Sequence, residues 1–351
     1  MSAAAPAGVP RLWEPQAALD HVLHALLRAA SAPYAVATGT RNALYDHGLL
    51  PCRRVPARVV SIGNVTVGGT GKTPLVLWLA RALHARGRRV AIVTRGYGKR
   101  TPGVLTVGES GRALVSAGAG GDEAVMLAGR FAGPVVAGPD RVAAARHACE
   151  TYGSDTIVLD DGFQHRRLAR DVDVVLLAGD PRRQRLLPAG PRRESWRSLA
   201  RASAVVLADD SLDGAAVGDL VPEGTLVCRL RVQPTALVAR GETGIVEMPL
   251  AWLQGRRVVA VAGIAGPQRF ADTLRALGAT VAALHAFPDH HAYDEQDVAR
   301  LCERAGADPL VTTEKDLVKL ATFPALAGMR ALRIEAAVDG GEGLLRLAAG
   351  R

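Results

Sequence analysis

Short runs of apolar, mostly β-branched residues alternate along the first two thirds of the chain with longer stretches of helical periodicity. Each short run has the length and composition that predict a buried strand. The predicted strands cover residues 58–62, 89–94, 135–137, 155–159, 172–177 and 204–207. Because helical stretches separate several of these strands, the pattern predicts a doubly wound, mostly parallel α/β sheet.

The pattern changes beyond residue 225, where short alternating runs predict an extended connector. A second βα series begins with the apolar run at 257–262, and further strands are predicted at 281–287 and 309–312. We therefore predict a first α/β domain at 41–225, a β connector at 226–255 and a second, smaller Rossmann-like α/β domain at 256–351.

The N-terminal region, residues 1–40, carries an amphipathic segment at 17–30. Its apolar residues share one helical face: Leu19, Val22, Leu23, Leu26, Leu27 and Ala30. Such a helix either docks on the protein's own core or lies in a bilayer surface, and the pattern alone favours the core. We expect no cleaved signal peptide and no spanning helix, because no basic start precedes an apolar core and no apolar run is long enough.

The turn after the first predicted strand carries a phosphate-binding motif, because a glycine-rich turn stands between a strand and a helix. The residues of this P-loop are Gly68, Gly69, Thr70, Gly71, Lys72 and Thr73. Backbone N–H groups would face phosphate oxygens, Lys72 would reach the β- and γ-phosphates, and the Thr73 hydroxyl would hold Mg²⁺. The strict pattern has glycine where this chain has Thr66. We predict nucleotide binding, and hence a P-loop domain at 41–225.

Composition narrows the choice of partners. The chain of 351 residues is 48% hydrophobic and has a net charge of +9, which favours nucleotides, phosphorylated substrates or an anionic membrane face. Aromatic residues make up only 4%, so we expect no base-stacking platform and no nucleic-acid partner. The four cysteines lack metal-like spacing and indicate thiols in a reducing compartment.

Two acidic residues follow the strand predicted at 155–159. Ligand sites in parallel sheets lie at the carboxyl ends of strands, so Asp160 and Asp161 suit a metal site beside the P-loop. The alternative is a turn-forming Asp-Gly pair, and we favour the metal role. Further along, Arg193 is suited to stabilise phosphoryl charge and Glu194 to join the metal ligands, although a solvated basic loop fits this composition equally well.

Three further segments are ambiguous by themselves. Asp122 precedes a helical run and, taken alone, is best interpreted as a helix N-cap. His290 and His291 stand in a polar loop, where surface histidines are the default interpretation and no zinc motif supports a metal site. Thr313 with Asp316 fits a helix cap and indicates nothing more.

Taken together, these motifs resemble those of the tetraacyldisaccharide 4′-kinase family, the lipid A 4′-kinases of Gram-negative bacteria. The matching segments are residues 63–74, 95–98, 121–123, 160–165, 187–194, 287–291 and 312–316. The resemblance extends from about residue 13 to residue 320, and Thr66 agrees with the loop of this family.

The resemblance implies ATP- and Mg²⁺-dependent phosphorylation of the 4′-hydroxyl of a tetraacylated glucosamine disaccharide 1-phosphate. It also implies a peripheral protein whose amphipathic helix dips into the anionic lipid surface on the cytoplasmic face of the bacterial inner membrane. Two domains would close around a site between them. The sequence does not predict an oligomeric state.

The resemblance also suggests roles for individual residues. Asp122 would accept the hydroxyl proton with His290 as its hydrogen-bonding partner, or the two roles would be exchanged. Arg193 would balance charge, and Gln164 would position ligands. Phosphate and Mg²⁺ would be bound by Lys72, Thr73, Asp160, Asp161 and Glu194.

Two other functions fit part of the pattern. Nucleotide-switch ATPases of the partitioning or maturation type share this P-loop, but they usually carry a lysine where this chain has Val67. A membrane adaptor with an inactive P-loop would use the basic surface and the amphipathic helix, and the intact Lys72 and Thr73 speak against it. Acceptor-dependent ADP formation separates the kinase from both.

Overall fold

The computed structural model describes residues 13, 18–68, 71–209, 212, 217–241 and 244–350, and the predicted P-loop residues Gly69 and Thr70 lie outside this part of the chain. The strands are β1 (Arg58–Asn64), β2 (Val90–Thr94), β3 (Leu105–Glu109), β4 (Arg112–Ala113), β5 (Val135–Ala137), β6 (Thr156–Asp160), β7 (Val172–Leu177), β8 (Ala204–Leu207), β9 (Leu226–Arg240), β10 (Ile245–Met248), β11 (Arg257–Ala262), β12 (Thr280–Ala286), β13 (Leu310–Thr313) and β14 (Arg330–Asp339).

The α-helices are α1 (Ala18–Asp46), α2 (Lys72–Ala85), α3 (Ala117–Gly120), α4 (Asp122–Arg130), α5 (Arg141–Tyr152), α6 (Pro267–Ala276), α7 (Glu295–Ala305), α8 (Glu314–Leu320) and α9 (Gly341–Ala349). Short 3-10 helices cover Trp196–Arg201, Leu250–Leu253 and Pro324–Leu326.

The strands hydrogen-bond into one mixed sheet in the order β12-β11-β13-β14-β9-β8-β7-β1-β6-β2-β5-β3-β4, with β10 paired to β9. The inner strands pair in parallel, from β5 through β2, β6, β1 and β7 to β8. Antiparallel pairs occur at the β3–β4 edge and around β9. The predicted α/β class with a mostly parallel sheet is confirmed.

Predominantly apolar runs explain the central strands. Every residue of β2, β6, β7 and β8 is buried, as expected for strands that are covered by helices on both faces. On one face α2, α4 and α9 pack in one apolar cluster, and on the other face α5 packs in a second. Polar residues therefore reach solvent mainly at the strand ends.

Strand β9 connects the N-terminal part of the sheet, β1 to β8, to its C-terminal part, β11 to β14. It pairs with β8 in parallel orientation and with ten residues of β14 in antiparallel orientation. A register irregularity in this ladder lies between Arg333 and Ile334, and such irregularities bend and twist strands. Strand β9 lies in the segment that the sequence predicts as an extended connector.

Helix α1 turns its apolar face away from the rest of the protein. The side chains of Leu19, Val22 and Leu26 are 67%, 59% and 62% exposed. Polar residues face inward instead, because the Ser31 hydroxyl contacts the Leu186 carbonyl and the Tyr34 hydroxyl contacts the Arg193 carbonyl. The apolar pattern taken alone predicts that this face docks on the protein's own core, and that prediction is wrong.

Candidate active site

Lys72 begins the helix that follows the first strand. Gly71 precedes it with a φ of 82°, a left-handed conformation that glycine adopts without strain. The Lys72 Nζ lies 3.2 Å from the Asn64 Oδ1 and 3.4 Å from an oxygen of Asp161. The ammonium thus stands at the carboxyl end of β1 and at the start of α2, where a strand–loop–helix unit binds phosphate.

Asp160 ends β6, and its side chain is buried. Its Oδ2 accepts a hydrogen bond from the Thr94 hydroxyl at 3.1 Å. Burial raises the pKa of Asp160 to about 7, and the charges of Glu123 and Asp161 add to the rise. Because a divalent cation would relieve this repulsion among carboxylates, the donor set fits Mg²⁺.

Protein side chains alone do not complete such a site. Within the described residues no three His, Cys, Asp or Glu side chains gather as a metal cluster. This agrees with the chemistry of Mg²⁺, which commonly takes one or two carboxylates together with water and substrate phosphate oxygens.

Asp161 adopts a backbone conformation that is rare for residues other than glycine, with a φ of 50°. Both of its carboxylate oxygens accept hydrogen bonds from the Arg193 Nη1, at 3.0 and 2.9 Å. Burial alone would raise the pKa of Asp161, but the charges of Lys72 and Arg193 hold it below its ordinary value. Asp161 therefore stays ionised and fixes the side chains of Lys72 and Arg193 at the carboxyl end of β6.

Glu194 follows Arg193 in the chain, and its side chain is buried. Its oxygens accept hydrogen bonds from Asn42 at 2.7 Å, from Gln164 at 2.9 Å and from Arg201 at 3.2 Å. The Gln164 amide also donates to the Asn64 carbonyl at 2.8 Å. Glu194 thus connects Asn42 of α1 with Gln164, which also contacts the end of β1.

The side chains of Asp122 and His290 are in contact, although 168 residues separate them in the chain. Asp122 is the first residue of α4, and the Nδ1 of His290 lies 3.1 and 3.0 Å from its two oxygens. Burial favours a higher pKa for Asp122, but the hydrogen bond with His290 and the charges of Lys315 and Lys319 hold it at about 2. The carboxylate is therefore ionised at neutral pH.

The second histidine of the pair faces elsewhere. The His291 Nε2 lies 2.7 Å from the Asp297 Oδ2 on α7, and its ring stacks on Phe287. His290, by contrast, contacts Asp122 and packs against the exposed ring of Tyr97. Of the two, His290 is the residue that the fold brings to the carboxylate on α4.

Helices α4 and α8 pack against each other and hold this pair together. At one end of the contact the Lys319 Nζ lies 3.4 Å from Asp122, and at the other end Arg130 donates to Glu314 at 2.8 Å. Arg130 also pairs with Glu335, and Glu314 also accepts from the Arg333 Nε at 2.9 Å. Ion pairs at both ends thus fix α8 of the C-terminal part on α4 of the N-terminal part.

We expect Arg130→Met to destabilise the protein by about 3 kcal/mol, because it leaves a buried carboxylate with fewer partners. The side chains of Arg130 and Glu314 are only 5% and 9% exposed. The free energy of unfolding from urea titration measures the effect. Arg275→Met, which breaks the exposed ion pair with Asp272, is the control and should cost less than about 1 kcal/mol. An equal loss in both variants would contradict the role of the buried pair.

A cleft of about 320 Å³ opens beside the Asp122–His290 pair. The loop that follows β2, the start of α4 and the end of α8 line it, with Tyr97, Asp122, His290, Tyr293 and Lys319 among the lining residues. The cleft is large enough to admit part of a sugar-sized ligand next to Asp122.

The structure places three further charged residues at this site for which the sequence predicts no role: Lys315, Lys319 and Glu123. Lys315 lies 3.2 Å from Glu123, and Glu123 faces Asp160 closely enough to raise its pKa. One signal was available in the sequence. The chain has only four lysines among 43 basic residues, and Lys72, Lys315 and Lys319 are three of them.

A lysine at the start of α2 stands at the carboxyl ends of β1 and β6 with two adjacent aspartates, of which Asp160 is buried and Asp161 is half-buried. A carboxylate–histidine pair lines the neighbouring cleft. Such a site is suited to phosphoryl transfer, because it offers cations for phosphate and a carboxylate for a hydroxyl proton. Fold and site define an ATP-dependent phosphotransferase of the kinase class.

Comparison with known proteins identifies the family. The family model described as tetraacyldisaccharide-1-P 4′-kinase matches residues 23–347. The tetraacyldisaccharide 4′-kinase of Anaeromyxobacter dehalogenans (strain 2CP-C) is 43% identical over 97% of this chain and 94% of its own length. That of Syntrophus aciditrophicus (strain SB) is 43% identical over 90% of each. The chain belongs to the tetraacyldisaccharide 4′-kinase family.

A solved structure supports the same assignment. LpxK from Aquifex aeolicus in complex with ATP superposes with a TM-score of 0.80 at 32% identity, over 93% of this chain and 99% of that one. The family resemblance, the kinase interpretation and the use of ATP are thereby confirmed, and the nucleotide-switch alternative is not favoured. Among the helices of the described residues, none is long and apolar enough to cross a bilayer.

Proposed function

We propose that the protein transfers the γ-phosphate of ATP to the 4′-hydroxyl of a tetraacylated glucosamine disaccharide 1-phosphate, giving the bisphosphorylated glycolipid of lipid A synthesis. The observation that carries this proposal is the Asp122–His290 pair, 3.0 Å apart, in a chain of the 4′-kinase family. The net charge of +9 suits ATP and an acceptor that already bears a phosphate.

On the acceptor side, Asp122 takes the proton of the 4′-hydroxyl as the oxygen bonds to phosphorus. A carboxylate whose pKa is about 2 is a weak base, so the proton moves late, when the hydroxyl oxygen already carries positive charge. His290 orients the carboxylate through its Nδ1. The positive φ of His290, 61°, shows that the surrounding loop holds this residue in a strained conformation, as is common at functional sites.

On the nucleotide side, the backbone of Gly68 and Gly71 and the ammonium of Lys72 hold the β- and γ-phosphates. Arg193 neutralises charge on the transferred group, and Asp161 keeps Arg193 and Lys72 in place. Gly69 and Thr70, outside the described residues, remain predictions for the same loop.

The metal site is proposed from the carboxylates beside the P-loop. Asp160, Asp161 and the Thr73 hydroxyl would hold Mg²⁺, which when bound neutralises charge on the β- and γ-phosphates. Glu194 stays a predicted ligand. Its hydrogen bonds with Asn42, Gln164 and Arg201 support a further role, in which it positions Gln164 at the nucleotide.

We further propose that the protein acts on the cytoplasmic face of the inner membrane, with α1 lying in the lipid surface. The exposed apolar face of α1 and the polar contacts of its opposite face support this placement. The same contacts connect α1 to the loop that holds Arg193, so a lipid acceptor at the membrane would lie close to the catalytic residues.

The combined change Leu19→Asn, Val22→Asn and Leu26→Asn is expected to abolish binding to vesicles that contain anionic lipid. Each large apolar side chain contributes about 1.5–3 kcal/mol when it leaves water, so the three changes together remove about 4.5–9 kcal/mol of the free energy of membrane binding. Sedimentation with vesicles measures binding. Leu114→Asn removes an equally exposed leucine outside α1 and should leave binding intact. Unchanged binding of the triple variant would exclude α1 as the membrane contact.

ADP formation tests the proposed function as a whole. ADP should appear when ATP, Mg²⁺ and the tetraacyldisaccharide 1-phosphate are all present in mixed micelles, and should depend on acceptor concentration. Equal ADP formation without the glycolipid would support a nucleotide switch instead, and no ADP formation at all would support an adaptor.

A further inference from the structure

A second cavity, of about 420 Å³, opens between the carboxyl end of β12 and α7. Strand β12 is the last strand at one end of the sheet, so this cavity lies at the outer edge of the C-terminal part. None of its lining residues lines the cleft beside Asp122. Its volume falls in the range of pockets that bind small molecules, about 300–1,000 Å³. The cavity is therefore separate from the candidate active site.

Two arginines on α7 make the cavity positively charged. Arg300 and Arg304 are four residues apart in this helix, so they share a face, and both line the cavity. Arg300 donates to one oxygen of Asp297, whose other oxygen lies 2.7 Å from the His291 Nε2. Within the described residues the Arg304 guanidinium has no hydrogen bond and no ion pair. Because two guanidinium groups face a single carboxylate, a positive charge is left over.

His285, near the end of β12, adds a polar group without a partner. Its ring lines the cavity, and its Nε2 is buried with no hydrogen-bond partner among the described residues. Burial lowers the pKa of His285, and the charge of Arg304 lowers it further, so the ring is neutral at pH 7. A buried ring nitrogen without a hydrogen bond costs free energy, which a bound ligand with a matching group would recover.

We propose that this cavity is a second anion site, which binds the phosphate group of an organic phosphate through Arg300 and Arg304, with His285 as a further donor. Planar guanidinium groups match phosphate oxygens in charge and geometry. A neutral imidazole still has one N–H to donate. A phosphate group suits donors on two different elements, because its terminal oxygens point in several directions.

The rest of the lining indicates that the ligand is larger than the phosphate ion itself. Leu284, Phe287 and Leu301 give the cavity apolar walls beside its charged groups. Such a combination, mostly apolar walls with a few polar groups that fix orientation, is typical of sites for organic ligands. The phosphate group therefore belongs to an organic molecule, which is either free in solution or the headgroup of a lipid.

Three variants separate this cavity from other basic groups of the protein. Arg304→Gln keeps a hydrogen-bond donor but removes the charge, and should weaken phosphate binding in the cavity by about 10- to 100-fold, the loss expected for one charge-assisted hydrogen bond. Arg346→Gln removes an exposed arginine of α9 that does not line the cavity, and should bind phosphate as the native protein does. Lys72→Met weakens phosphate binding at the P-loop and should leave binding in the cavity intact.

Nitrogen NMR of the full-length protein, labelled with ¹⁵N at histidine, reports on the cavity directly. The chain has nine histidines, and His285→Gln assigns the signals of His285. Inorganic phosphate should shift these signals in a saturable way and raise the pKa of the ring, because a nearby anion favours the protonated form. Chloride at the same ionic strength should not. In Arg304→Gln, the same shift should need about 10- to 100-fold more phosphate.

Two further probes distinguish the source of the phosphate group. Saturation of the His285 shift at lower concentrations of glycerol 3-phosphate than of inorganic phosphate would assign a free organic phosphate. A shift that requires vesicles containing phosphatidic acid, and that is lost in Arg304→Gln, would assign a lipid headgroup. No saturable change at His285 with any of the three probes, or an equal response of Arg304→Gln and the native protein, would overturn the proposal. The measurement uses neither ATP nor the disaccharide acceptor, so its result is independent of the kinase assay.

Discussion

Asp122→Asn is expected to lower kcat for phosphate transfer by about 10²–10⁴-fold, the contribution typical of a general base. The asparagine keeps the shape and one hydrogen-bond acceptor for His290 but cannot take up a proton. Because the interaction with the hydroxyl proton develops in the transition state, the KM for ATP should change little. Steady-state kinetics with varied ATP and varied glycolipid measure both constants.

Two comparisons make this test specific. Asp272→Asn removes an exposed carboxylate on α6, 61% exposed, and should leave kcat unchanged. The unfolding transition of Asp122→Asn should be compared with that of the native protein, because Asp122 also pairs with Lys319 between α4 and α8. A stable variant with full kcat would remove Asp122 from the reaction.

Lys72→Met is expected to lower kcat by about 10²–10³-fold, the loss found when one charge-stabilising donor is removed from an active site. Methionine is unbranched like lysine and removes the charge together with the N–H donors of the ammonium. ATP affinity should fall as well, because Lys72 contacts phosphate in the bound substrate and in the transition state. Isothermal titration with ATP and Mg²⁺, together with turnover, separates the two effects.

Lys99→Met is the control for this change. The Lys99 ammonium donates to the carbonyls of Thr101 and Gly103 and has no predicted contact with phosphate. It should retain both ATP affinity and turnover. If Lys72→Met and Lys99→Met behaved alike, the loop before α2 would not be the phosphate site.

The central sheet could be predicted from the sequence because its strands are buried on both faces. The run 204–207 is apolar throughout and the run 172–177 is apolar except for Asp173, and the ends of such runs also mark the loops in which candidate functional residues stand. The roles that we propose for Lys72, Asp160 and Asp161 likewise come from local motifs. Each motif is contained in one strand and the turn after it.

Elements that depend on distant partners could not be predicted in this way. No individual strand or helix is predicted for residues 321–351, yet β14 pairs with β9 along ten residues and α9 packs against α2. The burial pattern of β14 has no simple period, because its two ends meet different neighbours. The pairing with β9 covers the whole strand, and β13 pairs in parallel with its first three residues.

The position of α8 at the candidate site could not be predicted from the sequence either. Thr313 caps this helix by accepting from the Asp316 backbone, as the local pattern predicts. That pattern is equally compatible with a surface helix, and it contains no signal that Lys315 and Lys319 reach residues on α4. The contact arises from tertiary packing of two parts of the chain, which also brings His290 to Asp122.

Hydrophobic periodicity also could not predict what the apolar face of α1 contacts. Helical spacing predicts which residues share a face, but not whether that face meets protein or lipid. The inward contacts are polar, and they involve Ser31, Tyr34 and Asn42 with the loop that carries Arg193 and Glu194. Those partners lie more than 150 residues away in the chain.

Transfer of labelled γ-phosphate from ATP to tetraacyldisaccharide 1-phosphate in mixed micelles tests the central claim most directly. The product should be a labelled bisphosphorylated glycolipid with a phosphomonoester at the 4′ position, formed by the native protein and not by Lys72→Met. Label released only as inorganic phosphate, or attached at another hydroxyl, would contradict the account.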